Sequence, residues 1–363
     1  MNAQYKTIWN EATQSWVAVS EISRAKGKKS SSLKCIAAAL LIGTGSSALA
    51  ALSSGPNGEF CQQATTGGTW TCHVPNGAGG IATISNLPDI GGAQPDYVAL
   101  KAAVAAKLGT GAILIGDANT IASGNNAVAI GTAATAMLQN GVAIGTESLA
   151  SGQQGVAVGN RAGFNSSGNQ NTYVGVATGL QAVGDSNAFY GRLAGGNVTG
   201  SSNVAIGGDA LYATKGSNNV AVGLGAGEFA TGDFNYSMGY RAGEGIVGNE
   251  NVSLGSKAGL GSSGNNNVAL GKDAGAGAQG DSVSIGTNAK AILAGNVALG
   301  SGSVANTAAG ATGYAPSGAT AAQIAAINAT KATLAAVSVG SAGNTRQITN
   351  VAAGTVDTDA VNV

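Results

Sequence analysis

From Ile113 onward the apolar residues fall in short alternating triplets rather than in helical stripes. Val128-Ala129-Ile130, Val142-Ala143-Ile144, Val204-Ala205-Ile206 and Val268-Ala269-Leu270 each set two large aliphatic residues around a small one and end on glycine. Period-2 alternation is the pattern of a β-strand, and β-branched residues suit a pleated surface. The closing glycine stands at 116, 131, 145, 159, 175, 191, 207, 223, 239, 255, 271, 286 and 300, thirteen copies spaced by 14, 15 or 16 residues. The residue between the two large ones is Ala or Ser in ten of the thirteen. A second small column follows three positions after the glycine, as in Ala162, Thr178, Ala194 and Ala210. Asn stands four positions before it in eight copies, from Asn171 to Asn296.

A unit this short cannot hold a helix pair. It fits two short strands and two corners, one coil of a parallel β-solenoid, and neighbouring coils must stack to bury their apolar edges. At about 4.8 Å per coil, thirteen coils make a rod roughly 60 Å long. The closing glycines (Gly131, Gly145, Gly159, Gly207, Gly223 and Gly271 among them) and the large columns (Val204, Ile206, Val220, Val222) are the expected structural residues. Each buried Val or Ile is expected to contribute about 1.5–3 kcal/mol. Ala and Ser in the small central column point to close packing of that flank on a second chain; the bland alternative is that a tight coil simply suits small residues. The Asn column fits a left-handed corner or a side-chain ladder along the stack. Tyr173 and Phe189 replace the small central residue in consecutive copies. They are expected to stack one rung apart, as a widened subunit interface or an exposed patch that contacts ligand.

Composition agrees with a packed repeat. There are 60 Gly in 363 residues, 9% charged residues and 4% aromatics, against usual shares of about 7% Gly and ~25% charged. Gly lacks a three-residue period and Pro numbers only 5, so the chain is not collagen. Residues 1–50 hold six Lys/Arg against two Asp/Glu, and the remainder is net negative, leaving no basic footprint for nucleic acid. The single histidine, His73, removes most Ser-His-Asp and His-metal schemes.

The first fifty residues read as an export signal. Cys35 to Ile42 is a short apolar run behind Lys26, Lys28, Lys29 and Lys34, and Ala48-Leu49-Ala50 is a small-x-small cleavage site, with cleavage expected after Ala50. Cys61 and Cys72 then remain, and in an oxidising compartment this close pair reads most simply as a disulfide. Residues 51–110 match no known pattern; Tyr97 to Lys107 reads as a short helix and the cysteine loop as a small hairpin.

Tyr5-Lys6, Ile8-Trp9-Asn10 and Trp16-Val17-Ala18-Val19-Ser20-Glu21, in the long stretch before the apolar run, resemble the extended signal region of very large bacterial type V secretion proteins. The [Asn/Ser]-x-Val-Ala-Ile-Gly repeat resembles the head of trimeric autotransporter adhesins, the YadA-like family. The end of the chain resembles that family's neck in Gly343-Asn344, Arg346-Gln347-Ile348, Asn350-Val351-Ala352-Ala353-Gly354 and Asp359-Ala360-Val361-Asn362. The resemblance implies an all-β fold: a left-handed parallel β-roll of 14–16-residue coils, three chains side by side on a Gram-negative cell surface. It also implies a stalk and a membrane anchor after the neck, and nothing in the sequence up to Val363 resembles four amphipathic membrane strands, so this chain is expected to lack its own anchor. The expected division is a signal over 1–50, an N-terminal segment over 51–110, head repeats over 111–304, an Ala-rich insert over 305–340 and the neck over 341–363. In the insert, Ile324, Ile327 and Leu334 fall on one helical face.

Other chemistry is weakly represented. Gly275-Ala-Gly277-Ala-Gln-Gly280 matches G-x-G-x-x-G but lies inside the repeat, without the βαβ context. Gly271-Lys272 lacks P-loop spacing. A left-handed β-helix acyltransferase needs a six-residue period and usually a catalytic His, and an ice-binding solenoid needs a Thr column. The expected function is non-catalytic adhesion, with no cofactor, metal, nucleic acid or small-molecule substrate. The expected partners are further copies of the chain and host matrix or cell-surface ligands. The alternatives are a purely structural surface solenoid or a truncated gene product.

Overall fold

The computed structural model describes residues 5–10, 15–20, 51–54, 60–63, 70–75, 81–87, 107–117, 119–356 and 359. The chain divides into two compact units, Met1–Ala48 and Leu49–Val363. In the first, Tyr5–Asn10 pairs antiparallel with Ser15–Ser20, placing Trp9 opposite Trp16. The apolar run, its lysine flank and the cleavage site lie outside the described residues, as does most of Tyr97 to Lys107.

The second unit is a β-solenoid. Each triplet pairs in parallel, residue for residue, with the triplet of the next coil: Val204 with Val220, Ala205 with Ala221, Ile206 with Val222. This stack runs from Ile113–Gly116 to Val337–Ser338. Coils of 14 residues (Val142–Ile144 on Val156–Val158) and of 16 residues keep the same register, so extra residues are absorbed at the corners. A second, thinner parallel ladder joins Ser167, Val183, Thr199, Lys215, Thr231, Val247 and Ser263 on another side of the coil. Four described strands between residues 51 and 87 form the N-terminal end of the same sheet, and the antiparallel pair Phe60–Gln63 and Trp70–Pro75 is the hairpin expected around the cysteines. Ala51–Ser54, Phe60–Gln63, Trp70–Pro75 and Ile81–Leu87 make an antiparallel meander. Ile81–Ile84 then pairs in parallel with Ile113–Gly116. The expected Cys61–Cys72 disulfide is formed, between directly opposed residues of that meander.

The interior reverses an expectation. The small central residues, not the large ones, point inward: Ala143, Ala157, Ala205, Ala221 and Ala298 are fully buried. The second small column, Ala162 through Ala289 and Ser303, is buried with them. Val204, Ile206, Val220 and Val222 flank the strand on its outer face and stay partly exposed. The reason is geometric. In most coils the inside of the three-residue strand is filled by a methyl or hydroxymethyl group at the central position, and the alternation puts its large neighbours outside. The small column therefore lines a narrow core rather than a docking flank. The aliphatic stabilisation expected from a buried Val/Ile core is not available to the isolated chain.

Buried amides do much of the stacking instead. Asn187, Asn203, Asn219 and Asn235 lie at most 3% exposed on the inner wall. The Asn219 backbone N–H donates to Asn203 Oδ1 at 2.9 Å, and Asn203 Nδ2 donates to Gly216 O at 3.0 Å. The next rung repeats this, Asn235 N to Asn219 Oδ1 at 2.8 Å and Asn219 Nδ2 to Gly232 O at 2.9 Å. The ladder reading of the Asn column is therefore correct and the left-handed reading is not. The left-handed residue is the one just before: Gln170, Ser186, Ser202, Asn218, Phe234 and Glu250 have φ of 58–60°. Such a conformation costs a non-glycine residue about 1–2 kcal/mol, and coil stacking must over-determine it.

The Ala-rich insert is an excursion from one corner. After Val304–Ala305 the chain leaves the stack and returns at Val337–Ser338, which pairs with Val297–Ala298. Val337-Ser338-Val339-Gly340 is thus a fourteenth copy of the motif, hidden by the insertion and assigned from sequence to the insert and neck. Within the insert, helix α1 spans Ala321–Ala329, started by a Thr320/Gln323 capping box, and buries none of its residues. Ile324 and Ile327 lie on it. Leu334 lies beyond its end, so the expected three-residue face is not formed.

Candidate interaction surface

The long outer face of the strand ladder is the most distinctive surface of the solenoid. Its two columns are aliphatic or aromatic at nearly every rung, including Ile206 and Leu254 at 43% exposure and Tyr236 and Met238 at 47%. The columns run the length of the stack, roughly 60 Å at the usual strand spacing. Contiguous apolar patches of this size mark interaction surfaces in soluble proteins.

Tyr173 and Phe189 stack one rung apart as expected, with ring centroids 5.6 Å apart. They are not on a surface. Phe189 is fully buried and Tyr173 is 2% exposed, so neither the interface role nor the ligand role stands. The central position points inward in every copy, and here the rings occupy space left by glycines. A Cβ on Gly195 would lie 2.0 Å from the Phe189 ring, and one on Gly179 would lie 2.5 Å from the Tyr173 ring. The Tyr173 hydroxyl is buried and makes no hydrogen bond of good geometry, and burial pushes its phenol above the ordinary range, with the Ser166 hydroxyl nearby opposing only weakly. Tyr173→Phe is therefore expected to stabilise the fold by about 1 kcal/mol, the low end of the cost of an unmade buried hydrogen bond. A thermal melt that falls instead would show that the hydroxyl has a partner.

The neck residues divide into one anchored group and several exposed ones. Arg346 closes the end of the stack, donating to Ser303 Oγ at 2.8 Å and to the carbonyls of Val339 and Ser301. Asp359 accepts hydrogen bonds from Thr355 N at 2.7 Å and Val356 N at 3.3 Å, and these hold its carboxyl below the usual range. Gln347, Ile348, Asn350 and Gly354 are exposed and Val351 is half-buried; Asn362 lies outside the described residues. A cleft of about 490 Å³ opens under the last coil between Val304–Thr307 and Ala336–Arg346.

The closing glycines carry a stacking role. Gly207 and Gly223 have φ of 129° and 132°, and a Cβ on Gly207 would lie 2.6 Å from Gly223 O. Gly131, Gly145, Gly159 and Gly271 repeat the arrangement. One polar column escaped the sequence reading. Asn169, Asp185, Ser201, Ser217, Asp233, Asn249 and Asn265 recur every 16 residues, and each side chain accepts from the backbone N–H of the coil before. Examples are Ser217 N to Asp233 Oδ1 at 2.6 Å and Asp233 N to Asn249 Oδ1 at 2.8 Å. The period alone would have revealed it; the mixed residue types concealed it.

Residues 1–50 match the family model of the extended signal peptide of the type V secretion system. No curated protein matches the chain. Among the described residues no helix is long and apolar enough to cross a membrane. The signal indicates export by type V secretion. Such a signal ahead of a parallel β-solenoid fits an autotransporter.

Proposed function

We propose that this chain is the head and neck of a trimeric, YadA-like adhesin that presents its solenoid at the bacterial surface and attaches the cell to host matrix, to host cells or to other bacteria. One observation carries the reading: an apolar strand face that runs the whole stack and that the isolated chain cannot cover. Association of three copies through this face buries the Val/Ile columns that one chain leaves wet, at about 25 cal/mol per Å² of apolar surface removed from water. The exposed neck residues Ile348 and Val356, at 69% and 61%, continue the same unmet apolar demand below the last coil. Three identical rods then offer a repetitive ligand three equivalent sites, which raises effective concentration.

The test is sedimentation equilibrium on the exported chain. A trimer is expected, and Ile206→Glu with Leu254→Glu is expected to yield folded monomers. A wild-type monomer would overturn the assembly. Cells displaying the chain are expected to adhere to matrix-coated surfaces, and the double variant to lose most of that adhesion. Display without adhesion to any coated surface would favour a structural spacer.

A further inference from the structure

The insert that separates the last two copies of the strand motif is not covered by its own chain. From Asn306 to Leu334 no residue is buried, and from Asn306 to Thr330 none is charged. Tyr314 is 84% exposed, Leu334 79% and Ile324 40%. A helix that stays in water on every side is normally polar all round. Helix α1 instead carries alanine and isoleucine, with only Gln323 and Asn328 as polar residues.

Such a helix cannot hold itself. It has nine residues, and an isolated helix shorter than about 12–15 residues is marginal in water even when rich in alanine. The Thr320/Gln323 capping box starts it, and the Thr330 N–H closes its last turn on the Ile327 carbonyl at 3.2 Å. Its own chain adds little more. Ile327 leans over Gly313, where a Cβ would lie 2.6 Å from Ile327 Cγ2. A hollow of about 510 Å³ opens between Pro316–Ala319 and Gln323, Ala326 and Ile327 of the helix.

The root of this arm is fixed to the stack. The Gly310 N–H donates to Ala332 O at 2.7 Å and the Ala336 N–H to Thr307 O at 3.1 Å, which draws the two legs together. The Ala336 N–H also reaches the buried Asn296 Oδ1 at 3.1 Å. Val337, the next residue, is 64% exposed and pairs with Val297 as the last rung of the apolar strand face. The wet apolar surface of the arm is thus continuous with the face assigned above to association between copies. Its lack of charge suits an apolar neighbour and not an ionic one.

We propose that the arm from Asn306 to Ala336 is a clasp: in the assembled head, α1 of one copy, with Tyr314, Ile324 and Leu334, packs on the flank of the next copy at the base of the rod. The clasp rests on the trimeric reading and deepens it, because it adds a contact outside the strand face.

The experiment is hydrogen exchange on the exported chain, read at the α1 amides from Ile324 to Thr330. These are expected to exchange at least about tenfold more slowly in the wild-type trimer than in the folded Ile206→Glu, Leu254→Glu monomer, whose substitutions lie on earlier coils. Ile324→Lys with Leu334→Lys is expected to remove the protection and to raise the dissociation constant of the trimer about tenfold. Slow exchange in trimer and monomer alike overturns the clasp, because the helix is then covered by its own chain. Fast exchange in an intact wild-type trimer also overturns it, removes the clasp alone and leaves the arm to a partner other than this chain. A wild-type monomer overturns the clasp and the trimer together. Loss of the rod fold in the double-lysine variant would place the insert in the core of its own chain, and that too overturns the proposal.

Discussion

Alanine at position 200 is expected to destabilise the solenoid by roughly 2–6 kcal/mol. Two penalties of about 1–3 kcal/mol each combine, a strained backbone and an over-filled contact. Gly200 has φ of 149°, and a Cβ on it would lie 1.9 Å from Gly216 O in the next coil. The obstacle is a carbonyl that is itself tied to Gly200's own coil by Asn203 Nδ2, so it has little freedom to retreat. Gly261 provides the comparison. It too is left-handed, at 63°, but nothing lies within 4 Å of its would-be Cβ, so Gly261→Ala pays only the conformational cost of about 1–2 kcal/mol. Because each coil touches only its neighbours, the Gly200 variant is expected to unfold in two separated denaturant transitions, with the break between the coils that flank the substitution. Hydrogen exchange would locate it. Equal, small losses for both variants would mean that the coils slide to accommodate a methyl group, contrary to the stacking described.

The second large effect concerns Asn203, fully buried and central to the inner ladder. Asn203→Leu deprives the Asn219 N–H and the Gly216 carbonyl of their partners. At about 1–3 kcal/mol for each buried group left unpaired, the loss is roughly 2–6 kcal/mol. Asn203→Asp separates the two roles. The introduced carboxylate, when ionised, still accepts from Asn219 but cannot donate to Gly216, and it places a charge in the core. Only the protonated form restores the donor. The folded-state pKa of the introduced carboxyl is therefore raised above its unfolded value. Its stabilising contribution is complete below the unfolded pKa and is lost as pH rises through the folded one. The Asn203→Asp variant should melt near wild type in acid and well below it at neutral pH. A melting temperature independent of pH would mean that the carboxylate escapes to solvent.

The sequence made the architecture legible because the repeat is so nearly regular. The period, the parallel stacking and the Tyr173–Phe189 stack follow from spacing, the disulfide from spacing and an oxidising compartment, whereas for the Asn column the spacing offered a ladder beside a left-handed corner and the hydrogen bonds decide for the ladder. The direction in which the strand faces did not follow. Alternation separates Val204 and Ile206 from Ala205, but it is symmetric between inside and outside. The usual expectation that large aliphatics are buried chose the wrong face of a strand whose small central residues fill the inside at most rungs. Tyr173 and Phe189 were misplaced for the same reason. Gly179 and Gly195 make room for their rings, and that room exists only in three dimensions. The fourteenth copy was lost because the insert stretched its interval, and the Asp/Asn/Ser ladder because its members share an acceptor oxygen rather than a residue type.

The register shared by coils of different length has a consequence for how such a molecule changes over time. The antiparallel meander caps one end of the stack and Arg346 the other, whereas the internal rungs share one strand pairing above and below. Duplicating or deleting one coil then alters reach in quanta of about 4.8 Å and leaves both caps and the strand register as they were. The solenoid is in this sense a vernier, its span adjustable rung by rung without redesign of anything at either end.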